Sequence, residues 1–131
     1  MSASRLIDLY QPRPKQERII RKDRIAFTSM GGLHLVPWKD ILYCTAESNY
    51  CRLMLADGKT YLLSKTLKQV EHSLSPLHFM RIHQTYLVHL ECIALVGKHS
   101  LTLDEGATLP VSRKHHQALI NRLKSITTAI L

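Results

Sequence analysis

From about residue 25 onward, the apolar residues of this chain are grouped in short runs that turn-forming residues interrupt. The first runs read IAFTS, LHLV and ILYCTAE, and a Gly-Gly pair and a proline separate them. Runs of this length are short for helices but suit β-strands, and glycine and proline are typical of the breaks between strands. The pattern therefore predicts a meander of short strands.

The segment YCRLMLA has the pattern of a strand with one buried face, because Cys51, Leu53 and Leu55 occupy alternate positions. Asp57-Gly58 follows it and predicts a type I′ hairpin turn, since this pair accepts the positive φ angles that such a turn needs. A second hairpin is predicted across Lys98-His99. We expect Glu105-Gly106 to turn the chain into a further strand.

Two helices are predicted. Ser64 is placed to cap the first, with Leu67, Val70 and Leu74 on one face and Pro76 at its end. Ser112 would cap the last helix, which should dock on the sheet through one apolar side formed by Leu119, Leu123, Ile126 and Ile130. With a helical turn expected around residues 77–82, the predicted fold class is mainly β.

The chain has 131 residues, a formal net charge of +8 and 45% hydrophobic residues, which suits one domain with a single core. Residues 1–24 differ in texture, because they hold seven Lys or Arg, three acids and two prolines without apolar periodicity. We interpret them as a basic N-terminal arm or linker, either solvated or in contact with DNA. The folded domain is predicted over residues 25–131.

Several function classes are disfavoured. The chain has no glycine-rich phosphate loop, no GxSxG or HExxH motif and no carboxylate pair in an acid/base context, so an enzyme is not expected. Cys44, Cys51 and Cys92 are widely spaced and should be reduced thiols, and the histidines lack metal-ligand spacing, so neither a metal nor a cofactor is expected. Without an apolar run of about 18 residues or a signal peptide, we expect a cytoplasmic protein with no membrane partner and no small-molecule substrate.

The stretch FMRIHQTYLVHL, residues 79–90, joins an apolar framework to the hydrogen-bond donors Arg81, His83, Gln84 and His89. None of these is acidic and the whole chain is basic, so an acidic polymer is the first partner to expect. The predicted helices are separated by a strand-rich region, which disfavours a helix-turn-helix. Readout of DNA by loops and strand ends is the favoured alternative.

Four segments make the assignment specific: DILYCTAESNYCRLMLADG at 40–58, LSKTLKQVEHSL at 63–74, FMRIHQTYLVHLECI at 79–93 and LTLDEGATLPVSRKH at 101–115. In this order and spacing they resemble the LytTR DNA-binding domain, the output domain of many bacterial response regulators. The F-x-R-x-H pattern, followed by LV-x-L and LPVSR, is more specific than a single short motif. The resemblance begins at about Arg24 and covers most of the chain.

The resemblance implies an elongated, mainly β fold of short antiparallel strands in small packed sheets, with two or three short helices including a C-terminal one. It also implies a sequence-specific transcription regulator whose loops enter successive major grooves of double-stranded DNA, usually at paired direct repeats, where a homodimer would fit. Base-reading positions would fall at Asn49 or Tyr50, His89 and Arg113, although the family frequently has Asn in place of His89. Backbone-positioning roles would fall to Arg81, His83, Gln84, Lys98, His99 and Lys114.

These positions also have structural interpretations. Arg81 and His83 can bridge the turn to a neighbouring strand as partly buried polar groups, Lys98-His99 can be a solvated hairpin tip, and Tyr50 can be half in the core. Arg113 as a simple helix-start residue is disfavoured, because a cation there opposes the helix dipole.

At the level of the molecule, the alternative is a basic protein-interaction module that binds an acidic partner or dimerises through its C-terminal helix. That alternative predicts an apolar helix stripe left exposed. Single-stranded RNA binding is disfavoured by the scarce, dispersed aromatic residues. Residues 1–24 are too few for the phosphoacceptor receiver domain usual in the family, so we interpret the chain as a stand-alone regulator or a separated output domain.

Overall fold

The computed structural model describes residues 23–131, which contain ten strands and two α-helices. The strands are β1 (Arg24–Ser29), β2 (Gly32–Pro37), β3 (Ile41–Glu47), β4 (Tyr50–Leu55), β5 (Thr60–Leu63), β6 (Phe79–His83), β7 (Tyr86–His89), β8 (Ile93–Val96), β9 (Ser100–Leu103) and β10 (Thr108–Pro110). The helices are α1 (Leu67–Leu74) and α2 (Arg113–Ile126). The mainly β class with a C-terminal helix is confirmed. All but the last two residues of the predicted arm, 1–24, lie outside the described residues.

The strands form three antiparallel sheets. β1 and β2 make a hairpin, the central sheet has the order β5-β4-β3-β7-β6, and the third sheet has the order β10-β9-β8. The predicted alternation along β4 is confirmed, because Cys51, Leu53 and Leu55 are buried while the residues between them are half-buried. The small antiparallel sheets agree with the predicted architecture.

The central sheet is covered on both faces and separates two cores. The first core lies between this sheet, the β1–β2 hairpin and α1, and includes Phe27, Cys44, Leu53, Val70 and Leu87. The second core lies towards the third sheet and α2, and includes Ile82, Val88, Leu101, Leu103 and Leu119. Because consecutive β7 residues face opposite cores, this strand is a continuous buried run and lacks the alternation of a half-exposed strand.

The first helix differs from its prediction only at its start. Leu67, Val70 and Leu74 are buried as predicted, but Thr66 and not Ser64 is the N-cap. The Thr66 hydroxyl accepts from the Gln69 amide at 3.2 Å, and the Gln69 side chain accepts from the Thr66 amide at 2.8 Å. This reciprocal capping box satisfies two amides at once, which favours the later start.

The β4–β5 hairpin is confirmed, but its type I′ turn is wrong. Of the pair Asp57-Gly58, only Gly58 has a positive φ, at 88°. The Gly58 amide donates to the Leu55 carbonyl and the Leu55 amide donates to the Lys59 carbonyl, each at 3.0 Å. This is a three-residue loop that ends in a left-handed glycine. Residues 103–107 form the same pair of bonds before β10.

Two other predictions need correction. The helical turn expected around residues 77–82 lies earlier, at Ser75–Leu77, and is followed by β6. The C-terminal helix ends at Ile126, so the predicted apolar side is shorter and Ile130 lies beyond it. Along this side the second core holds Leu119 and, at its margin, Leu123. Packing therefore ends there, and Ile126 is 38% exposed.

Candidate nucleic-acid interface

Two consecutive backbone amides just before α2 connect the start of this helix to the β8–β9 turn and to the end of β6. The Val111 amide donates to the His99 carbonyl at 2.8 Å, and the Ser112 amide donates to the Ile82 carbonyl at 2.9 Å. The first bond holds the β8–β9 turn against the start of α2, and the second holds the end of β6 there. Long-range contacts thus bring the LPVSR and F-x-R-x-H motifs together.

The turn between β6 and β7 is also joined to the β3–β4 hairpin. The Ala46 amide donates to the Thr85 carbonyl at 2.9 Å, and Ala46 lies close to the Ser48-Asn49 turn in the chain. Ser48 has a positive φ of 58°, which closes this turn, and Tyr50 beside it is 46% exposed. Three turns and the start of α2 are therefore connected in a row by backbone hydrogen bonds.

An open groove of about 560 Å³ lies between α1, the β6–β7 turn and the start of α2. Its walls carry hydrogen-bonding side chains, and the residues are Lys68, Glu71, Arg81, His83, Gln84, Ser112, Lys114 and His115. Within the described part of the chain, neither lysine forms an ion pair, whereas the single carboxylate is paired with Arg81. The groove therefore carries excess positive charge.

Alternation along β6 directs Arg81 towards α1, because Phe79, two residues earlier, lies in the first core beside α1. The β6–β7 register shifts between Arg81 and His83, and the residue between them, Ile82, is fully buried in the second core. Arg81 instead contacts α1, where its Nη1 donates to Glu71 Oε1 at 3.0 Å. Its Nε donates to the His83 carbonyl at 2.9 Å and its Nη2 to the Gln84 carbonyl at 2.5 Å. These contacts agree with the interpretation of Arg81 as a partly buried bridging group, except that it bridges the turn to helix α1 and not to a strand.

The two histidines of the groove are held by neighbouring hydrogen bonds. The Thr85 amide donates to Nδ1 of His83 at 3.1 Å, which leaves Nε2 as the protonated nitrogen of the neutral ring. Nδ1 of His115 lies 2.6 Å from the Ser112 hydroxyl. Burial, followed by the positive charges of Lys114 and Arg81, lowers the pKa of His115 from its ordinary value. The permanent positive charge not already paired in the groove thus comes from its lysines.

The motifs of the groove and its neighbouring turns lie within one known domain. The family described as the LytTr DNA-binding domain matches residues 31–124. The chain belongs to this family. Residues of this LytTR domain are 27% identical over 101 residues to the sensory transduction protein LytT of Bacillus subtilis, covering 73% of this chain and 42% of LytT.

The transcriptional regulatory protein BtsR of Escherichia coli is 30% identical over 125 residues, covering 87% of this chain and 51% of BtsR. The chain thus spans about half or less of these two relatives. A solved LytTr DNA-binding domain from Bacillus cereus matches with a TM-score of 0.63 and 20% identity, over 77% of this chain and 95% of that one. This likeness confirms the fold. No helix among residues 23–131 has the length and hydrophobicity to cross a membrane.

His89, which was expected to contact a base, is only 2% exposed in this structure. It stacks on Phe79, with centroids 4.7 Å apart, and meets the edge of Trp38 at 5.7 Å. Its Nδ1 lies 3.1 Å from the Ile41 carbonyl and must donate to it. Within the LytTR domain, His89 therefore anchors β7 to the start of β3, and its ring is covered in this conformation.

The remaining predicted residues are accessible. Asn49, Gln84, Lys98, His99, Arg113 and Lys114 are exposed in the connected turns and at the start of α2. The groove gathers four of the predicted residues, namely Arg81, His83, Gln84 and Lys114. Asn49 and Tyr50 lie beyond it on the β3–β4 side, and Lys98 and His99 lie on the β8–β9 side.

Sequence reasoning missed four residues of the groove, which are Lys68, Glu71, Ser112 and His115. One signal was available for Lys68, because it lies next to Leu67 on the polar side of a helix whose apolar face was predicted. No sequence pattern indicates that this side of α1 lies beside the β6–β7 turn. The bond between Glu71 and Arg81 depends on that tertiary arrangement.

Proposed function

We propose that this LytTR domain binds double-stranded DNA sequence-specifically and acts as a transcription regulator. The row of three turns and the start of α2, connected by backbone hydrogen bonds, carries the proposal. Such a row presents several exposed donors along one side of a basic domain. Cations there can contact phosphates and supply affinity, while donors directed at base edges supply selectivity.

The side chains divide into two proposed roles. Lys68, Lys98 and Lys114 contact phosphates, because they are exposed and form no ion pair within residues 23–131. His99 and the Nε2 of His83 are proposed as further phosphate donors. Arg113 reads a base, since an exposed guanidinium can donate to guanine O6 and N7 together.

Asn49 with Tyr50, and Gln84, are proposed as the other base contacts. Gln84 was expected to contact the DNA backbone, but its exposed amide stands at the tip of the β6–β7 turn. A glutamine amide can pair with adenine N6 and N7, which makes it a suitable replacement for the buried His89. The three contacts come from separate turns, so we propose that they enter successive major grooves.

Two copies on paired direct repeats are the proposed assembly on DNA, and each copy would read one repeat.

A second role, docking of a protein partner, is favoured by one observation: the end of the C-terminal apolar side stays exposed at Ile126. That role is compatible with contact between two copies on DNA. Sedimentation of the free protein and of its complex with duplexes of one or two repeats would distinguish the two roles.

The test is selection of sites from random duplexes with the full chain. The expected result is enrichment of a motif that occurs twice at a spacing of about one helical turn, roughly 10 base pairs. A single-stranded competitor should displace the enriched duplex poorly. If selection enriches no sequence, sequence-specific binding is contradicted.

A further inference from the structure

The β6–β7 turn is held by a charged network, and we propose that Arg81 and Glu71 are positioning residues of the DNA interface. They fix the turn so that the Gln84 amide and Nε2 of His83 face the partner. This inference rests on the proposed function. It replaces the phosphate contact that the sequence indicated for Arg81.

The geometry of the Arg81 guanidinium supports a positioning role. The guanidinium uses three different nitrogens, which donate to the His83 carbonyl at 2.9 Å, the Gln84 carbonyl at 2.5 Å and Glu71 Oε1 at 3.0 Å. Two of these acceptors belong to consecutive residues of the turn, and the third belongs to α1. Only the planar fork of arginine can satisfy acceptors in this arrangement at once.

The charge balance of the Arg81–Glu71 pair also supports a positioning role. The side chains of Arg81 and Glu71 are 22% and 33% exposed, and the carboxylate offsets the guanidinium charge. A residue that already has an anionic partner releases few counterions when DNA binds. Lys68 and Lys114 line the same groove without an ion pair among the described residues. The salt dependence of binding should therefore come from these lysines and owe little to Arg81.

Both ends of the network are anchored. Glu71 projects from α1, whose Leu67, Val70 and Leu74 are buried in the first core. At the other end, the Thr85 amide donates to Nδ1 of His83 within the turn. A turn fixed before binding loses less conformational entropy in the complex, which strengthens contacts that depend on geometry.

The experiment uses Arg81→Lys and Glu71→Ala in the full chain. The controls are Arg24→Lys, the same replacement at an exposed position of β1, and Glu91→Ala, an acid that does not line the groove. In the free protein, amide hydrogen exchange at Gln84 and Thr85 should accelerate in both test variants, while exchange in β3 and β7 stays unchanged. Neither control should change exchange at the turn.

On DNA, the readout is the ratio of affinities for the selected duplex and a scrambled one. Arg81→Lys should lower this ratio about tenfold, within the cost of one impaired base contact, and leave the salt slope unchanged. Glu71→Ala should also lower the ratio, even though loss of an acid near phosphates favours binding to every duplex. By contrast, Lys114→Ala should weaken both duplexes and reduce the salt slope by about 1.

The opposite outcomes are distinct. If Arg81 were a phosphate contact restrained by Glu71, then Glu71→Ala would tighten binding to both duplexes equally and steepen the salt slope, which overturns the proposal. Unchanged exchange at Gln84 and Thr85 in both variants also overturns it. If selection finds no preferred duplex, the proposed function fails, while the exchange measurement on the free protein still decides whether the network positions the turn.

Discussion

At the residue scale, His89 and Arg113 show how burial separates two side chains of similar chemistry. Both are hydrogen-bond donors in motifs of the LytTR family. His89 lies between aromatic rings in the core, whereas Arg113 is exposed at the first turn of α2. The first residue therefore affects stability, and the second is available for binding.

The stability of the domain should decrease as the pH is lowered, because of His89. Burial lowers the pKa of this residue, with opposing contributions from Glu91 and the Ile41 carbonyl. Its Nε2 has no hydrogen-bond partner within residues 23–131 and lies 4.0 Å from Glu91 Oε2. Since the folded pKa is below the unfolded value of about 6.5, stability is fully present above that pH and is lost as pH falls towards the folded pKa.

The measurement is Tm against pH between about 7.5 and 5, a range that spans the ordinary histidine pKa. His89→Asn, which keeps a donor for the Ile41 carbonyl but does not titrate, should have a lower Tm and a weaker decline with pH. His115, whose pKa is also lowered, should account for part of the remaining decline. If the Tm of His89→Asn declines with decreasing pH as steeply as that of the unmodified protein, His89 is excluded as a source of the pH dependence.

Arg113→Ala should relax recognition of one base pair. If the guanidinium donates to guanine through two nitrogens, its loss costs about 1–3 kcal/mol of discrimination at that position. Binding of the variant to duplexes substituted at each position of the selected site measures this effect. Uniform weakening on all sequences would instead assign Arg113 to phosphate contact, and an unchanged Tm is the control for folding.

At the element scale, short turns and caps decide what each strand and helix presents. The β8–β9 turn is held to the start of α2 through the His99 carbonyl, so the backbone that carries the exposed Lys98 is fixed in position. Helix α1 begins with a capping box at Thr66, and its polar side supplies Lys68 and Glu71 to the groove. A substitution that alters the β8–β9 turn or α1 should therefore affect DNA binding.

Lys98→Ala should cause a small loss of affinity that is independent of sequence. One fewer phosphate contact should reduce the magnitude of the slope of log K against log salt by about 1. Titrations of the selected and scrambled duplexes at several salt concentrations measure it. The same slope as the unmodified protein would show that this turn is only a solvated hairpin tip.

Thr66→Ala should destabilise the domain by about 1 kcal/mol, because the Gln69 amide loses its capping acceptor. Urea unfolding monitored by circular dichroism measures the change. Ser64→Ala is the matched control, since Ser64 is exposed and precedes the cap. A larger effect at Ser64 would contradict the observed start of α1.

At the scale of the whole molecule, the central sheet couples two cores. Leu87 on β7 belongs to the first core, while Val88, the next residue, belongs to the second. The turns of the interface arise from strands and a helix that pack on both sides of this sheet. If either core unfolds, the strands that both cores share lose their packing, and the other core is disrupted as well. The domain should therefore behave as one cooperative unit.

Leu53→Ala in the first core and Leu101→Ala in the second should each lower the free energy of unfolding by about 2–5 kcal/mol. Both side chains are almost fully buried. Each variant should retain a single transition, with the same midpoint by far-ultraviolet circular dichroism and by fluorescence of Trp38. Two separated transitions in either variant would contradict coupling through the sheet.

The sequence by itself determined the elements of this domain, because alternating apolar residues, turn pairs and helix faces are local patterns. It also indicated the family and most of the exposed donors. Only the tertiary structure decided which donors face outward and which lie together. His89 is buried because β7 is covered on both faces, and Arg81 pairs with Glu71 because α1 packs on the face of the central sheet that carries Arg81. Both outcomes depend on contacts between residues distant in the chain, which periodicity and spacing do not encode.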